Sequence, residues 1–293
     1  MDFDIIIIGS GPGGYVAAIR AAQLGMNVAV IEKESLGGIC LNWGCIPTKA
    51  LLKSAAVYEN LCHAQDYGIM ATGIAVDYGQ VHGRSRQVAE KMSKGVAFLM
   101  KKNKITVIEG TATVLPNKQV QVVDAQGQTQ VHQANHIILA TGAHGRSLPS
   151  APIDGQHILG YRDVLTLNTL PKSVLVMGSG AIGAEFSYLM NAMGVQVHLV
   201  EALDRLAPNE DADLSAQLEK SFKKQGIKTH TQTKVIQVQI NPNGVEVDLE
   251  TPKGPQTLTV EKVISAVGIV PNIENIGLES LGIAIENGKV VVD

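Results

Sequence analysis

Residues 4–8 carry four consecutive isoleucines behind an aspartate. An unbroken branched run predicts a strand covered on both faces, because a strand with one wet face alternates apolar and polar residues. Glycines follow at 9, 11, 13 and 14. An alanine-rich stretch of helical spacing then covers 15–24, and a second apolar run over 27–31 ends at Glu32. The same order returns later: a strand is predicted over 173–177, a turn over 178–183, a helix over 184–193, and a strand over 195–200 ending at Glu201. The second copy starts 169 residues after the first, Gly178 against Gly9, and each acid stands 23 residues past its glycine. A strand–helix–strand unit used twice predicts parallel, doubly wound sheets.

Between the copies, 51–67 and 87–102 have amphipathic helical spacing. Residues 105–139 alternate in period two, with turn signals at Pro116-Asn117 and Gln126-Gly127, which predicts an antiparallel meander. A second such stretch, 235–260, folds about Asn241-Pro242-Asn243-Gly244. The loop 143–152, rich in Gly, Ser and Pro, is the expected domain boundary.

Composition narrows the function. The chain has 293 residues, enough for two domains at roughly 150 each. Aromatics are 4%, too few for base-stacking platforms, and the net charge of −3 argues against a nucleic-acid partner. No apolar run approaches the ~18 residues of a membrane span, and the opening Met-Asp-Phe-Asp lacks the basic start of a signal peptide. Three cysteines do not make a secreted disulfide framework, so a cytoplasmic protein is expected. Glycine, 30 residues or about 10%, exceeds its usual ~7% and points to close backbone approaches.

Gly9-Ser10-Gly11-Pro12-Gly13-Gly14 and Gly178-Ser179-Gly180-Ala181-Ile182-Gly183 both match G-x-G-x-x-G. In that pattern the first glycine permits the turn, the second admits a pyrophosphate to the backbone, and the third lets helix and strand pack closely. The phosphates then face a helix N-terminus. Glu32 and Glu201 are the expected acceptors of adenosine ribose hydroxyls. An acid in this place favours NAD over NADP, and after Glu201 no basic residue follows until Arg205. The expected fold is α/β, with two Rossmann-like dinucleotide-binding domains of three-layer β/β/α form and antiparallel β-meander insertions. One domain suits a fixed flavin, the other an exchangeable nicotinamide.

Cys40 and Cys45 lie in a glycine-rich loop at the start of a helical pattern, where the helix dipole favours a thiolate. Such a pair is suited to thiol–disulfide exchange. Two buried structural thiols are one alternative. A zinc site of Cys40, Cys45, Cys62 and His63 is another, opposed by the ~100° divergence of adjacent residues on a helix. Cys62 itself is expected to pack against a neighbouring element.

At residues 40–52, C-L-N-W-G-C-I-P-T-K-A-L-L, the chain resembles the pyridine nucleotide-disulfide oxidoreductases, and among them most closely the dihydrolipoamide dehydrogenases. The stretch 9–25, Leu139-Ala140-Thr141-Gly142, the second fingerprint with Glu185, and Val267-Gly268-Ile269-Val270-Pro271-Asn272 carry the same resemblance. It implies FAD at Gly9, Gly11, Gly14, Glu32, Lys33, Gly38, Lys49, Ala112, Thr141 and Gly142. It implies NAD at Gly178, Gly180, Ile182, Gly183, Glu201, Val235 and Gly268. Catalysis would fall to Cys40 as the thiol that meets substrate, Cys45 as the thiol beside the flavin, and Lys49 with Glu185 as an ion pair favouring reduced, anionic flavin. Read without the resemblance, Lys49 is a solvated helix cation and Glu185 a helix N-terminal carboxylate.

The implied activity is oxidation of protein-bound dihydrolipoamide with reduction of NAD+, and the implied partners are lipoyl domains of 2-oxoacid dehydrogenase or glycine cleavage complexes, with a homodimer as the full-length form. Related glutathione or mercuric reductases are the rival enzymes, and a non-catalytic dinucleotide-binding fragment is the rival of another class. The resemblance implies an FAD-binding domain at 1–146 plus 270–293 and an NAD-binding domain at 147–269. The family's ribityl-binding Gly-Asp pair, dimerisation domain and acid–base His-Glu pair have no match, so a truncated and inactive chain is expected. None of His63, His82, His132, His136, His144, His157, His198 and His230 takes the acid–base role; all are expected to be surface or packing residues.

Overall fold

The computed structural model describes residues 2–293, in two compact units. Of the described residues, the first comprises 2–46, Arg86–His144 and Val270–Asp293; the second comprises Pro47–Ser85 and Gly145–Ile269. Residues 47–85, which the sequence reading gives to the first domain, group with the second unit, because Leu51 and Ala55 are fully buried in its core.

In chain order the elements are β1 (Phe3–Ile8), α1 (Pro12–Gln23), β2 (Val28–Glu32), α2 (Gly38–Trp43), α3 (Cys45–Cys62), α4 (Tyr78–Lys102), β3 (Thr106–Glu109), β4 (Thr111–Leu115), β5 (Gln119–Val123), β6 (Thr129–Leu139) and β7 (Ala143–Gly145). They continue with β8 (Ile158–Leu159), α5 (Tyr161–Val164), β9 (Ser173–Met177), α6 (Ala181–Ala192), β10 (Gln196–Val200), α7 (Ala212–Lys224), β11 (Lys228–His230), β12 (Lys234–Asn241), β13 (Gly244–Thr251), β14 (Gly254–Val260) and β15 (Lys262–Ser265).

The first unit is built on a six-stranded sheet in the order β3-β2-β1-β6-β5-β4. Its isoleucine strand is covered on both sides, as an unbroken apolar run requires. Ile5 and Ile7 face Ala18 and Ala21 of α1 and Val96 and Met100 of α4. Ile6 and Ile8 face Ala112, Val114, Val120 and Val122 of the meander. Truncating either fully buried Ile6 or Ile7 to alanine costs about 2–5 kcal/mol. α1 forms because Pro12 presets its first turn and alanines fill it, and its buried face of Gly14, Ala18 and Ala21 is small enough to lie close on the sheet.

Two expectations need correcting here. The alternating stretch 105–139 is not a single meander. β3 pairs in parallel with β2, Val107 opposite Val30. β6 changes partner midway, running antiparallel to β5 over 129–133 and parallel to β1 over 134–139. Period-two alternation reports which face is wet, not strand direction. The second amphipathic helix begins at Tyr78 rather than 87, because the Asp77 carboxylate accepts the Gln80 backbone N–H at 3.1 Å and caps the glycine-bearing first turn.

The second unit repeats the plan. Its five-stranded parallel sheet has the order β11-β10-β9-β15-β8. One face packs on Phe186, Leu189 and Met190 of α6. The other packs on Val245, Val247 and Leu249 of the three-stranded antiparallel β12-β13-β14. The turn predicted there is observed, with Asn241 opposite Gly244.

Candidate active site

In each unit a fingerprint follows the central parallel strand, β1 or β9, and the two are built alike. Gly9 has φ +98° and Gly178 φ +91°, in the left-handed region. A Cβ on Gly9 would stand 2.2 Å from the Ala140 carbonyl oxygen, and one on Gly178 2.5 Å from that of Ala266. A Cβ on Gly14 or Gly183 would stand 1.9 Å from the carbonyl oxygen of Gly9 or Gly178, so only glycine lets α1 and α6 start this close to their strands. At Gly11, Gly13 and Gly180, by contrast, a Cβ would meet nothing within 4 Å. No side chain caps α1 or α6. Each fingerprint therefore leaves helix N-terminal N–H groups facing open space, a cradle whose chemistry fits a pyrophosphate.

The two acids are held by their own loops. The Glu32 carboxylate accepts the Ser10 hydroxyl at 2.6 Å, the Ser10 N–H at 3.0 Å and the Glu34 N–H at 2.9 Å. Glu201 accepts the Ser179 hydroxyl at 2.7 Å, the Ser179 N–H at 2.9 Å and the Leu203 N–H at 3.0 Å. A carboxylate has about four lone-pair sites, so each acid is fixed in place with capacity left for a ribose hydroxyl. Each serine hydroxyl also accepts a returning loop N–H, Gly37 on Ser10 at 3.2 Å and Ala207 on Ser179 at 3.1 Å. The sequence reading treats Ser10 and Ser179 as the free position of the motif. Their occurrence in the same place of both copies is the signal that could have marked them.

The remaining positions anticipated for a cofactor divide between the units. In the first, Gly38 packs so closely on the fingerprint that its Cβ would stand 2.7 Å from the Gly11 Cα. Thr141 and Gly142 turn their carbonyls to Asn272, which donates its side-chain amide to one at 2.9 Å and its backbone N–H to the other at 3.0 Å. Ala112 is buried in the core, and Lys33 is exposed. In the second, Ile182 lies partly exposed in the first turn of α6, Val235 is half-buried on β12, and Gly268 has open space before it.

Cys40 and Cys45 form a disulfide with Cα atoms 4.7 Å apart, in place of two free structural thiols. Cys40 lies in the short α2 and Cys45 opens α3, on either side of Gly44. The intervening segment is tied down. The Asn42 side-chain amide donates to the carbonyls of Leu36 at 3.0 Å and Gly38 at 2.9 Å. The Ser93 hydroxyl of α4 donates to the same Leu36 carbonyl at 2.8 Å. Arg86 donates to the Asn42 carbonyl at 2.7 Å and lies over the Trp43 ring, 4.4 Å from its centroid. Desolvation draws the Arg86 guanidinium below its ordinary pKa.

Within the second unit Lys49 and Glu185 form an ion pair at 2.5 Å. Lys49 is well exposed, so the pair adds little to stability, about 0–1 kcal/mol. On the same two helices the Tyr188 hydroxyl donates to Glu59 at 2.5 Å, and burial together with that carboxylate pushes Tyr188 up to about 12.

Cys62, expected to pack against a neighbour, is exposed at the last residue of α3. Among the described residues no three His, Cys, Asp or Glu side chains assemble to hold a metal ion, and no helix is long and apolar enough to cross a membrane. One pair escaped the sequence entirely. His198 and His230 stack across β10 and β11, with ring planes 9° apart and Nδ1 of one 3.1 Å from Nε2 of the other. Burial first, then His230 and Lys228, lowers His198 to about 4.

Comparison with known proteins gives this arrangement a context. The family model described as pyridine nucleotide-disulphide oxidoreductase matches residues 3–293. Curated dihydrolipoyl dehydrogenases from Rhizobium etli and Zymomonas mobilis are 46% and 44% identical over 99% of the chain, which covers 64% and 63% of their own length. The chain thus spans under two thirds of the curated relatives it matches. LpdA from Mycobacterium tuberculosis superposes with a TM-score of 0.90 at 31% identity, over 97% of this chain and 62% of that one. RclA from Escherichia coli, an HOCl-induced flavoprotein disulfide reductase solved as a Cu(II) complex, superposes at 0.85 and 26%, over 100% of this chain and 63% of its own.

Proposed function

The chain belongs to the pyridine nucleotide-disulphide oxidoreductase family, and from that premise we propose that it oxidises protein-bound dihydrolipoamide to lipoamide with reduction of NAD+. The observation that carries the reading is the Cys40–Cys45 disulfide in the loop that packs on the first nucleotide cradle. One substrate thiolate attacks Sγ of Cys40, and the electron pair of the broken S–S bond leaves on Cys45. The second substrate thiolate then attacks its own neighbour's sulfur in the mixed disulfide, releasing cyclic lipoamide and the Cys40 thiolate. Two electrons have passed from substrate to the pair, which is left as two thiolates, and the two protons of the substrate thiols have gone to solvent. FAD and NAD+, when bound, supply the onward two-electron chemistry.

The chain's own residues prepare for those groups. The first cradle, Gly9 to Gly14 with Glu32, is assigned to FAD, and the second, Gly178 to Gly183 with Glu201, to NAD. The open N-terminal N–H groups and the clamped acids support both assignments. Lys33, Gly38, Ala112, Thr141 and Gly142 are assigned to the FAD side, and Ile182, Val235 and Gly268 to the NAD side. Lys49, held by Glu185, is the assigned cation favouring anionic, reduced flavin. The nearly buried Glu201 carboxylate would repel a 2′-phosphate, which supports NAD over NADP. Curated relatives named dihydrolipoyl dehydrogenase support lipoyl domains of 2-oxoacid dehydrogenase or glycine cleavage complexes as partners, with a homodimer in the cytoplasm as the working form.

Cys40→Ser and Cys45→Ser test the reading. In the full-length enzyme each is expected to abolish dihydrolipoamide-dependent NAD+ reduction, because each removes one sulfur of the obligatory exchange. Oxidation of NADH by an artificial acceptor, which does not need the pair, is expected to survive. Full dihydrolipoamide turnover in either variant would refute the disulfide route.

A further inference from the structure

When the Cys40–Cys45 bond opens, nothing covalent but the backbone of 41–44 keeps the two sulfurs together. α2 is a helix of six residues, and the carbonyls at its C-terminal end have no partners within the helix. One of them, that of Asn42, receives the Arg86 guanidinium at 2.7 Å. The same guanidinium lies 4.4 Å over the ring of the next residue, Trp43. A planar, always-charged fork suits both contacts at once, and a cation at a helix C-terminus is favoured by the dipole. From the other side Asn42 is itself tied to Leu36 and Gly38. Two of the four residues between the cysteines, Asn42 and Trp43, are therefore gripped from a separate helix, α4, by contacts that do not pass through the S–S bond.

We propose that Arg86, stacked on Trp43 and bonded to the Asn42 carbonyl, is a positioning residue that keeps the reduced Cys40 and Cys45 thiols within reclosing distance. The inference rests on the exchange reading above and adds the residue that sets its equilibrium. Freeing the inter-cysteine segment gives the reduced state conformational freedom that the disulfide-bonded state lacks. Loss of the clamp therefore favours the dithiol.

The test is a redox titration of the 293-residue chain against dithiothreitol, with the Cys40–Cys45 state read by alkylation and mass spectrometry. The overall reaction exchanges one protein disulfide and one dithiol for the protein dithiol and oxidised dithiothreitol, so atoms and electrons balance. Arg86→Met and Trp43→Ala are each expected to move the equilibrium about tenfold toward the reduced protein, equivalent to about 30 mV for a two-electron couple. Arg86→Lys, which keeps the charge but not the flat fork, is expected to fall about threefold from wild type. Trp43→Phe, which keeps an aromatic face, is expected to stay within about twofold. Should Arg86→Met not fold, the Arg86→Lys and Trp43→Ala values decide the matter. Equilibria within twofold of wild type for those variants overturn the inference. Repeating the titration with dihydrolipoamide separates the two claims. A pair that dihydrolipoamide reduces equally in all variants keeps the proposed function and removes the clamp. A pair inert to dihydrolipoamide, yet shifted by the substitutions in dithiothreitol, does the reverse.

Discussion

The two nucleotide cradles can be laid over each other by a shift of 169 residues, Gly9 on Gly178, Ser10 on Ser179, Glu32 on Glu201. The strand, the left-handed glycine, the close helix start and the serine–acid clip coincide down to the uncapped helix end. They part after the acid. In the first unit the loop returns to Ser10 through Gly37 and at once becomes the helix that carries Cys40. In the second it returns to Ser179 through Ala207 and runs into a charged surface stretch before α7. The cradle geometry is thus the repeated property of the architecture, and the disulfide lies in one copy alone, on the segment beyond its acid.

The comparison can be broken most severely at the third glycine. Gly14→Ala and Gly183→Ala each push a methyl into a backbone carbonyl, a site that cannot relax by moving a side chain. Each is expected to cost about 3 kcal/mol or more in its own unit. Absorbance for bound flavin and fluorescence titration for NADH should show Gly14→Ala losing the first and Gly183→Ala the second. Loss of both cofactors in either variant would show that the cradles are not independent.

The serine clip should matter less, and similarly, in both places. Ser10→Ala and Ser179→Ala each strip a short hydroxyl bond from a carboxylate, and each is expected to destabilise by about 1–3 kcal/mol. Denaturant midpoints measure this. The Ser179 change should be the larger, because Glu201 is the more buried acid.

A smaller difference lies one layer down. Where the first unit has Ala29 and Ile108 on adjacent strands, the second has His198 and His230. A histidine whose folded pKa lies below its unfolded 6.5 binds fewer protons folded than unfolded between those values. Stability of the second unit should therefore be full above about pH 6.5 and fall as the pH drops toward the folded pKa of about 4. Thermal melts across that range should show the slope, and His198→Ala should flatten it. An unchanged slope in that variant would assign the acid sensitivity elsewhere.

Much of this was legible in the chain because it was written twice. The isoleucine run, the spaced glycines and the distal acids marked out two parallel cores without any knowledge of contacts. The hidden remainder depends on register. Alternation could not say that β3 pairs in parallel while β4 and β5 pair antiparallel, nor that β6 runs parallel to β1 and antiparallel to β5. The histidine pair arises only once Val200 is set opposite His230. Arg86, 41 positions beyond Cys45, gave no sign of reaching the residues beside it. The place of residues 51–62 was hidden because an amphipathic helix shows that it has a buried stripe without showing which core receives it; Leu51 and Ala55 are buried among Val174, Phe186 and Leu189.

The exposed end of α3 has a practical corollary. With the redox pair closed the chain offers one sulfhydryl to a reagent, that of Cys62, and with it open three. Every colorimetric count on this protein carries its own internal standard. The same exposed sulfhydryl, beside the Tyr58 hydroxyl, is the place where aerated stocks should become covalently cross-linked pairs that vanish on a reducing gel, and Cys62→Ser should keep such stocks single.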